Sequence, residues 1–263
     1  LAKKPIVTIG VIAKYLDHED TYLSIAEALR AASWDHNHQL ELKWIDAEKL
    51  TTSTKPLEGL DGILVPGGFG ERGVEGKIIA AQYSREHGVP YLGICLGLQV
   101  AVIEFARNVA SLADAHSTEF SSDTPHPVVH IMPDQLGVPM GGSMRLGDYD
   151  TTLAKGSLAA EVYGTTDITE RHRHRYEVNN EYRALLSAKG LTFSGTSYEG
   201  QLVEVVEIAD HPYFVASQYH PEFLSRPLKP HPLFLGLIAS SIRALPSTQA
   251  TSIMAGSSRL KGE

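Results

Sequence analysis

Apolar runs and amphipathic stretches alternate along the first half of the chain. Four short runs, mostly apolar, predict strands: 5–12, 40–46, 62–68 and 89–94. Three stretches with apolar residues at helical spacing predict helices: 20–32, 74–87 and 96–108. Gly88 is placed to end the second helix. This alternation predicts an α/β protein with a mainly parallel central sheet flanked by helices, whose catalytic groups lie at the carboxyl ends of the strands.

Beyond Pro125 the pattern changes to strands with few helices between them. Further strands are predicted at 128–131, 145–153, 201–208 and 213–219, and short helices at 179–188 and 231–245. No linker rich in Pro, Gly or Ser divides the halves, so we expect these additional antiparallel strands to belong to one domain, 5–245. Residues 1–4 are predicted to be a linker remnant. The polar segment 246–263 has no apolar period and is predicted to be a disordered C-terminal tail.

Composition narrows the function classes. The 263 residues carry 23 Lys and Arg against 31 Asp and Glu, a net charge of −8, which is the wrong sign for binding a polyanionic backbone. Nucleic acid is therefore not expected as a partner. A single cysteine cannot form an internal disulfide, which fits a reducing compartment and predicts a cytoplasmic protein. No apolar run reaches the roughly 18 residues that cross a bilayer, so no membrane contact is expected.

The strongest local signal for chemistry lies at 88–106, where an apolar strand passes through Gly93, Cys95 and Gly97 into an amphipathic helix. This pattern is typical of a nucleophile elbow, a sharp turn at which glycines remove Cβ atoms that would collide. The helix N-terminus favours the thiolate form of Cys95. A lone cysteine is more often a small buried hydrophobic residue. The surrounding strand, glycines and helix nevertheless favour a catalytic nucleophile.

A thiolate nucleophile needs a base that later returns the proton, and the base needs a group that orients it. Four of the twelve histidines precede proline: His126, His211, His220 and His231. Only His220 follows an apolar strand and has a carboxylate, Glu222, two residues later. Pro221 favours an extended His220, and residues two apart in extended chain point to the same side. The sequence therefore predicts a His220–Glu222 pair, with an exposed turn as the alternative.

A glycine-rich segment, 66–73, follows a predicted strand. Its backbone amides fit a phosphate cradle or one wall of an oxyanion hole, and a simple turn is the third interpretation. The absence of a Gly-Lys-Ser/Thr ending weakens the phosphate interpretation.

A basic segment, 170–180, alternates arginines with histidines. In an extended strand Arg171, Arg173 and Arg175 face one side, and His172 and His174 face the other. A solvated edge strand and a surface that recognises carboxylates or another domain both remain open. No metal site is expected from the two histidines, because no nearby acidic or histidine partner completes one.

Six motifs resemble those of the triad-type class I glutamine amidotransferases: PGGFGERGVEGKI (66–78), GICLGLQ (93–99), STEF (117–120), ERHRHRYEVNN (170–180), QLVE (201–204) and QYHPEF (218–223). The first and fourth are similar to motifs that, within this class, distinguish the glutaminase half of the CTP synthase family. The resemblance runs from Ile6 to Leu245. It implies the flavodoxin-like fold of class I glutamine amidotransferases.

The resemblance also implies a role for each matching position. Cys95 matches the nucleophile, His220 the general base and acid, and Glu222 the group that orients it. The amides of Gly68 and Leu96 match the oxyanion hole. The implied glutamine-binding residues are Gly68, Phe69, Leu96, Gln99, Glu119 and Arg175. Among them Phe69 belongs to a loop that covers the pocket, and Glu119 suits the α-ammonium group.

The implied activity is hydrolysis of the glutamine side-chain amide, through a cysteine thioester, to glutamate and ammonia. In the family a synthase (amidoligase) domain, which these 263 residues lack, uses the ammonia to convert UTP to CTP. That domain binds ATP and magnesium, and GTP is the allosteric effector, so no cofactor or metal is expected in this chain. Two alternatives stay open: a poorly active docking or regulatory module, and the glutaminase subunit of another amidotransferase.

Overall fold

The computed structural model describes four stretches of the chain, 4–14, 19–131, 144–197 and 200–244. Residues 1–3 of the predicted linker remnant, and the whole predicted tail at 246–263, lie outside the described residues. No helix in the described stretches is long and apolar enough to cross a bilayer.

Twelve strands lie within the described residues: β1 (Ile6–Ala13), β2 (Gln39–Asp46), β3 (Gly62–Val65), β4 (Tyr91–Ile94), β5 (Ala115–Ser117), β6 (His126–Ile131), β7 (Arg145–Leu153), β8 (Asp167–His174), β9 (Tyr176–Val178), β10 (Thr192–Ser197), β11 (Val203–Glu207) and β12 (Phe214–Ser217). The α-helices of the same residues are α1 (Leu23–Asp35), α2 (Val74–His87), α3 (Leu96–Asn108), α4 (Leu158–Tyr163), α5 (Arg183–Ala188) and α6 (Pro232–Ala244).

Nine of these strands form one sheet in the order β2-β1-β3-β4-β12-β11-β10-β7-β8. The first five strands are mutually parallel, and each later pairing is antiparallel. A small sheet, β5-β6-β9, packs against α3. The prediction of an α/β fold with a parallel sheet and additional antiparallel strands is confirmed. Because β12 pairs with β4, the second half of the chain continues the sheet begun by the first.

The apolar strands are buried on both faces, as their sequences predict. In β3, Ile63 and Val65 pack into the hydrophobic cluster that contains α2 and α3. Leu64 packs into the opposite cluster, with Leu29 of α1 and Leu237 of α6. Helices on both faces leave the carboxyl ends of β1, β3, β4 and β12 side by side at one edge, which is where ligand sites form in parallel sheets.

Most predicted elements are present, and two helices, 74–87 and 96–108, have the predicted bounds. Gly88 ends α2 in the left-handed conformation, with φ 65°. The first helix begins at Leu23 because a 3₁₀ turn, Glu19–Tyr22, precedes it. The sequence pattern missed α4, β5 and β10. These elements are three to six residues long, and β10 has an irregular register around Gly195, so none carries a clear period.

Candidate active site

Cys95 lies at a strained corner between β4 and α3. Its φ of 52° and ψ of −100° place a non-glycine residue at positive φ, a conformation that costs about 1–3 kcal/mol and clusters at functional sites. A Cβ on Gly93 would lie 2.7 Å from the carbonyl oxygen of Gly97. One on Gly97 would lie 2.2 Å from the carbonyl oxygen of Val65. The nucleophile-elbow geometry predicted from the glycines is therefore confirmed.

His220 is brought beside Cys95 by the order of the strands. Cys95 follows β4, His220 lies three residues beyond the end of β12, and these two strands are parallel neighbours. A Cβ built on Gly67 would lie 2.9 Å from Cε1 of His220 and 3.5 Å from Cβ of Cys95, so both residues adjoin the same glycine. Nδ1 of His220 lies 2.8 Å from Oε1 of Glu222. The structure thus brings the three predicted catalytic residues together.

The reason for the His220–Glu222 pairing differs from the sequence-based one. We expected an extended chain in which residues two apart share a side. Instead, Pro221–Phe223 forms a 3₁₀ turn that begins at His220, and the amide of Phe223 donates to the carbonyl of His220 at 3.2 Å. The turn folds the carboxylate of Glu222 back against the imidazole. Pro221 suits this turn because its fixed φ fits the first helical position.

The environment of His220 favours its protonated form. Burial lowers the pKa of His220, but the charge and hydrogen-bonding capacity of the Cys95 sulfur, together with the Glu222 contact, raise it to about 10. Glu222 engages Nδ1, so the buried Nε2 is left for the reacting atoms. A cysteine sulfur beside a histidine that is oriented by a carboxylate is the arrangement used by cysteine nucleophiles.

A cleft of about 540 Å³ opens beside the elbow. The predicted site residues that line it are Gly68, Phe69, Cys95, Gln99, Glu119, Arg175, His220 and Glu222. Leu96 lies directly beneath, with its Cδ2 3.5 Å from the position of a Cβ on Gly68. Within the described residues neither the Gly68 amide nor the Leu96 amide donates a hydrogen bond. Both amides are therefore available to a developing oxyanion.

Two predicted glutamine-binding side chains, Glu119 and Gln99, have identifiable surroundings. Oε1 of Glu119 accepts a hydrogen bond from the Gly70 amide at 3.0 Å. Burial raises the pKa of Glu119, against the lowering effect of that bond and of Lys14 and Arg175. Gln99 is buried and its Nε2 donates to the carbonyl of Tyr176 at 3.1 Å. Gln99 therefore braces the wall of the cleft.

Sequence reasoning missed two polar residues that support the site, Gln218 and Lys14. Nε2 of Gln218 donates to Sγ of Cys95 at 3.7 Å, and its Oε1 accepts a hydrogen bond from Nε2 of Gln99 at 3.4 Å. Its signal was its place directly after β12, the strand that leads to His220. Lys14 follows β1 and contacts the carbonyls of Phe69 and Gly70. Nothing in its local sequence marked it.

The basic segment forms β8, the edge strand of the sheet. Arg171 and Arg173 are exposed whereas His172 and His174 are buried, as the alternation predicted. Arg173 and Arg175 also line the cleft. The interpretation as a solvated edge strand is confirmed, and recognition of a carboxylate by the arginines stays a prediction.

The reason given above for expecting no metal ligands was wrong, because an acidic partner does come close. Ligand atoms of His172, His174 and Glu204, all buried, lie within 4.8 Å of one another. However, the guanidinium of Arg145 contacts Glu204 and lies 3.6 Å from Glu177. Burial, reinforced by Arg145, lowers the pKa of His172 to about 3. Arg145 already supplies the positive charge of this cluster, so its guanidinium would repel a metal cation bound there.

Comparison with known proteins agrees with this geometry. The model of the family "Glutamine amidotransferase class-I" matches residues 18–240, and the chain belongs to that family. Curated relatives that are 51–58% identical to this chain are CTP synthases. The CTP synthase of Rubrobacter xylanophilus is 58% identical over 241 residues, 90% of this chain and 44% of that protein. The CTP synthase of Carboxydothermus hydrogenoformans is 58% identical over 240 residues, 90% of this chain and 45% of that protein.

A solved structure extends the similarity to the fold. The Trypanosoma brucei CTPS glutaminase domain with bound acivicin superposes with a TM-score of 0.86 at 40% identity, covering 91% of this chain and 95% of that one. The chain spans about 45% of the length of the curated relatives it matches. It therefore corresponds to their glutamine amidotransferase part.

Proposed function

We propose that this chain is a glutaminase that splits the side-chain amide of L-glutamine into glutamate and ammonia. The observation that carries the proposal is the position of Cys95 on a strained elbow, beside the hydrogen-bonded His220–Glu222 pair, in one cleft. The similarity to a glutaminase domain supports it independently.

The mechanism follows from the positions of the groups. The Cys95 thiolate attacks the carboxamide carbon, and the amides of Gly68 and Leu96 stabilise the tetrahedral oxyanion. His220 gives its proton to the departing nitrogen, which leaves as ammonia and a γ-glutamyl thioester. His220 then takes a proton from water, whose hydroxide attacks the thioester, and glutamate and the thiolate are released. Glu222 holds the imidazole in the orientation that both transfers need.

Substrate recognition is assigned to the far side of the cleft. Glu119 is proposed to bind the α-ammonium group of glutamine and Arg175 its α-carboxylate, with Gln99 bracing the wall between them. Phe69 is 72% exposed at the mouth of the cleft, a position suited to covering a bound amino acid.

The similarity to CTP synthases supports a wider proposal. The ammonia would pass to a synthase domain that converts UTP to CTP in the cytosol, and that domain would bind ATP and magnesium. GTP would act as the allosteric effector of the glutaminase step. No other amidotransferase is favoured, because the arginines that distinguish this family, Arg173 and Arg175, line the cleft.

The test is release of glutamate from L-glutamine by the purified chain, with and without GTP. We expect turnover that disappears in Cys95→Ala, and covalent labelling of Cys95 by a glutamine-mimicking electrophile. Absence of turnover at every GTP concentration, together with absence of labelling, would contradict a glutaminase and leave a docking module.

A further inference from the structure

The oxyanion wall of the cleft is formed by the main chain of the glycine-rich segment. It is formed by Gly67, Gly68 and Phe69, immediately after β3. Glycine loses more conformational freedom on ordering than any other residue. An oxyanion donor is effective only if its orientation is fixed before the reaction. The Gly68 amide has no hydrogen bond within the described residues that would fix it.

Side chains hold the peptide group just before the one that contains this amide, and the second peptide group after it. On one side, Nζ of Lys77 donates to the carbonyl of Pro66 at 3.2 Å. On the other, Nζ of Lys14 donates to the carbonyl of Phe69 and lies 3.4 Å from that of Gly70. The amide in the Phe69–Gly70 peptide donates to Glu119, so both ends of that peptide are engaged.

Lys14 reaches the loop because of the parallel sheet. It is the first residue after β1, and β1 pairs in parallel with β3, whose end leads into the loop. Only 4% of Lys14 is exposed, and its Nζ lies 5.6 Å from the centre of the Phe69 ring. Lys14 does not line the cleft, so its ammonium group contacts the loop from outside the cleft.

We propose that Lys14 is a positioning residue for the oxyanion hole: by holding the carbonyls of Phe69 and Gly70, it keeps the Gly68 amide oriented towards the cleft. The inference rests on the proposed glutaminase function. It adds a coupling through Glu119, the residue assigned to the α-ammonium of glutamine. Glu119 accepts a hydrogen bond from the amide of the same peptide whose carbonyl Lys14 holds.

Two reactions of Cys95 separate this role from a general effect on the sulfur. Attack on glutamine develops an oxyanion, whereas displacement of iodide from iodoacetamide occurs at a saturated carbon and develops none. Loss of one oxyanion donor costs on the order of a hundredfold in rate. We therefore expect Lys14→Met to lower kcat for glutamine about tenfold or more, with KM changed less than threefold. Alkylation of Cys95 should stay within twofold of the wild type.

The experiment uses the 263-residue chain and Lys49→Met as the matched control, since the Lys49 side chain is 78% exposed and lies away from the cleft. The control should keep wild-type kcat. Equal activity in Lys14→Met and the wild type, or a parallel fall in turnover and alkylation, overturns the inference. If Lys14→Met melts below the wild type, Lys14→Gln decides by the same comparison. A wild-type chain that is alkylated but has no glutaminase activity would instead contradict the proposed function.

Discussion

At the residue scale, the pKa of His220, which the Cys95 sulfur and then Glu222 raise, sets the alkaline limit of the proposed reaction. The Glu222 contact helps to raise the pKa of His220 to about 10, so the imidazolium persists until that pH. We expect kcat/KM for glutamine to fall on the alkaline side near pH 10. Glu222→Gln keeps the shape but removes the negative charge, so the imidazolium loses its proton more easily. The alkaline fall should move to lower pH by about one unit, as measured by pH–rate profiles.

A Glu222→Gln profile with its alkaline fall unmoved would show that Glu222 orients His220 without affecting its charge. Glu119→Gln is not a suitable control because it alters the cleft itself. Glu161→Gln changes an exposed carboxylate on α4, and should leave the profile unchanged.

A second prediction at this scale concerns Lys77, which is fully buried. Burial, reinforced by Lys14, lowers the pKa of Lys77 from 10.5 to about 7 in the folded chain. Between these two pH values the unfolded chain binds more protons, so the Lys77 contribution to stability rises with pH. Lys77→Met removes that contribution. We expect the variant to be more stable than the wild type below pH 7, with a difference that shrinks towards pH 10.

The measurement is the free energy of unfolding in urea at several pH values for both chains. Lys49→Met supplies the exposed control and should show no such trend. A difference between Lys77→Met and the wild type that stays constant from pH 6 to pH 10 would contradict a buried, titrating ammonium group.

Residue roles could be predicted from sequence only where local pattern carries them. The role of Cys95 could be predicted because Gly93 and Gly97 indicate a place where the backbone is too crowded for a Cβ. The role of Glu222 could be predicted because it lies two residues after His220. Lys14 acts on a loop 55 positions away through the pairing of two strands, and Glu204 approaches His172 through another. Neither contact produces a recognisable spacing of residues along the sequence, so neither could be predicted before the strand order was known.

At the element scale, the elbow depends on the close packing of α3 against β3. A Cβ at Gly97 would lie 2.2 Å from the Val65 carbonyl oxygen, and backbone cannot move aside as a flexible side chain can. We expect Gly97→Ala to lower the free energy of unfolding by about 3 kcal/mol and to abolish glutaminase activity. Gly156→Ala is the control, since its φ of 78° brings strain with no atom within 4 Å. It should cost about 1 kcal/mol, and an equal loss in both would contradict the packing argument.

A buried ionic cluster joins four strands of the second half. Arg145 of β7 lies between Glu177 of β9 and Glu204 of β11, beside His172 of β8. Burial raises the pKa of both glutamates, and Arg145 opposes this rise. Removing the cation leaves two acidic groups buried without a partner charge, so Arg145→Met should destabilise the fold by about 3–5 kcal/mol. Urea unfolding measures this, and exposed Lys155→Met is the control. A loss below 1 kcal/mol would show that the glutamates are protonated and need no cation.

Elements with a long apolar period could be predicted closely, whereas the pairing partners of the later strands could not. Helix α2 was placed at both ends by its period and by Gly88. Strand β10, TFSGTS, is polar and irregular, yet it lies inside the sheet between β11 and β7. Its stability comes from those neighbours, which its own sequence does not specify.

At the scale of the whole molecule, one sheet connects a parallel half that carries the elbow with an antiparallel half that carries the ionic cluster. His220 lies at the boundary, because β12 is parallel to β4 and antiparallel to β11. Its amide donates to the carbonyl of Arg171 on the far edge strand at 2.8 Å. The proposed catalytic base, His220, therefore contacts both halves of the sheet. Destabilising either half should displace His220.

This continuity predicts that residues 5–245 unfold as one unit, which can be tested from opposite edges of the sheet. Both tryptophans, Trp34 and Trp44, lie in α1 and β2 at the parallel edge, whereas Arg145 lies in β7, beside the other edge. We expect Arg145→Met to shift the tryptophan fluorescence transition in urea by the same amount as the far-ultraviolet circular dichroism transition. If the two halves were separate domains, Arg145→Met would not affect the elements that carry the tryptophans. The midpoint of the fluorescence transition would then stay at the wild-type value, and the circular dichroism curve would show two transitions.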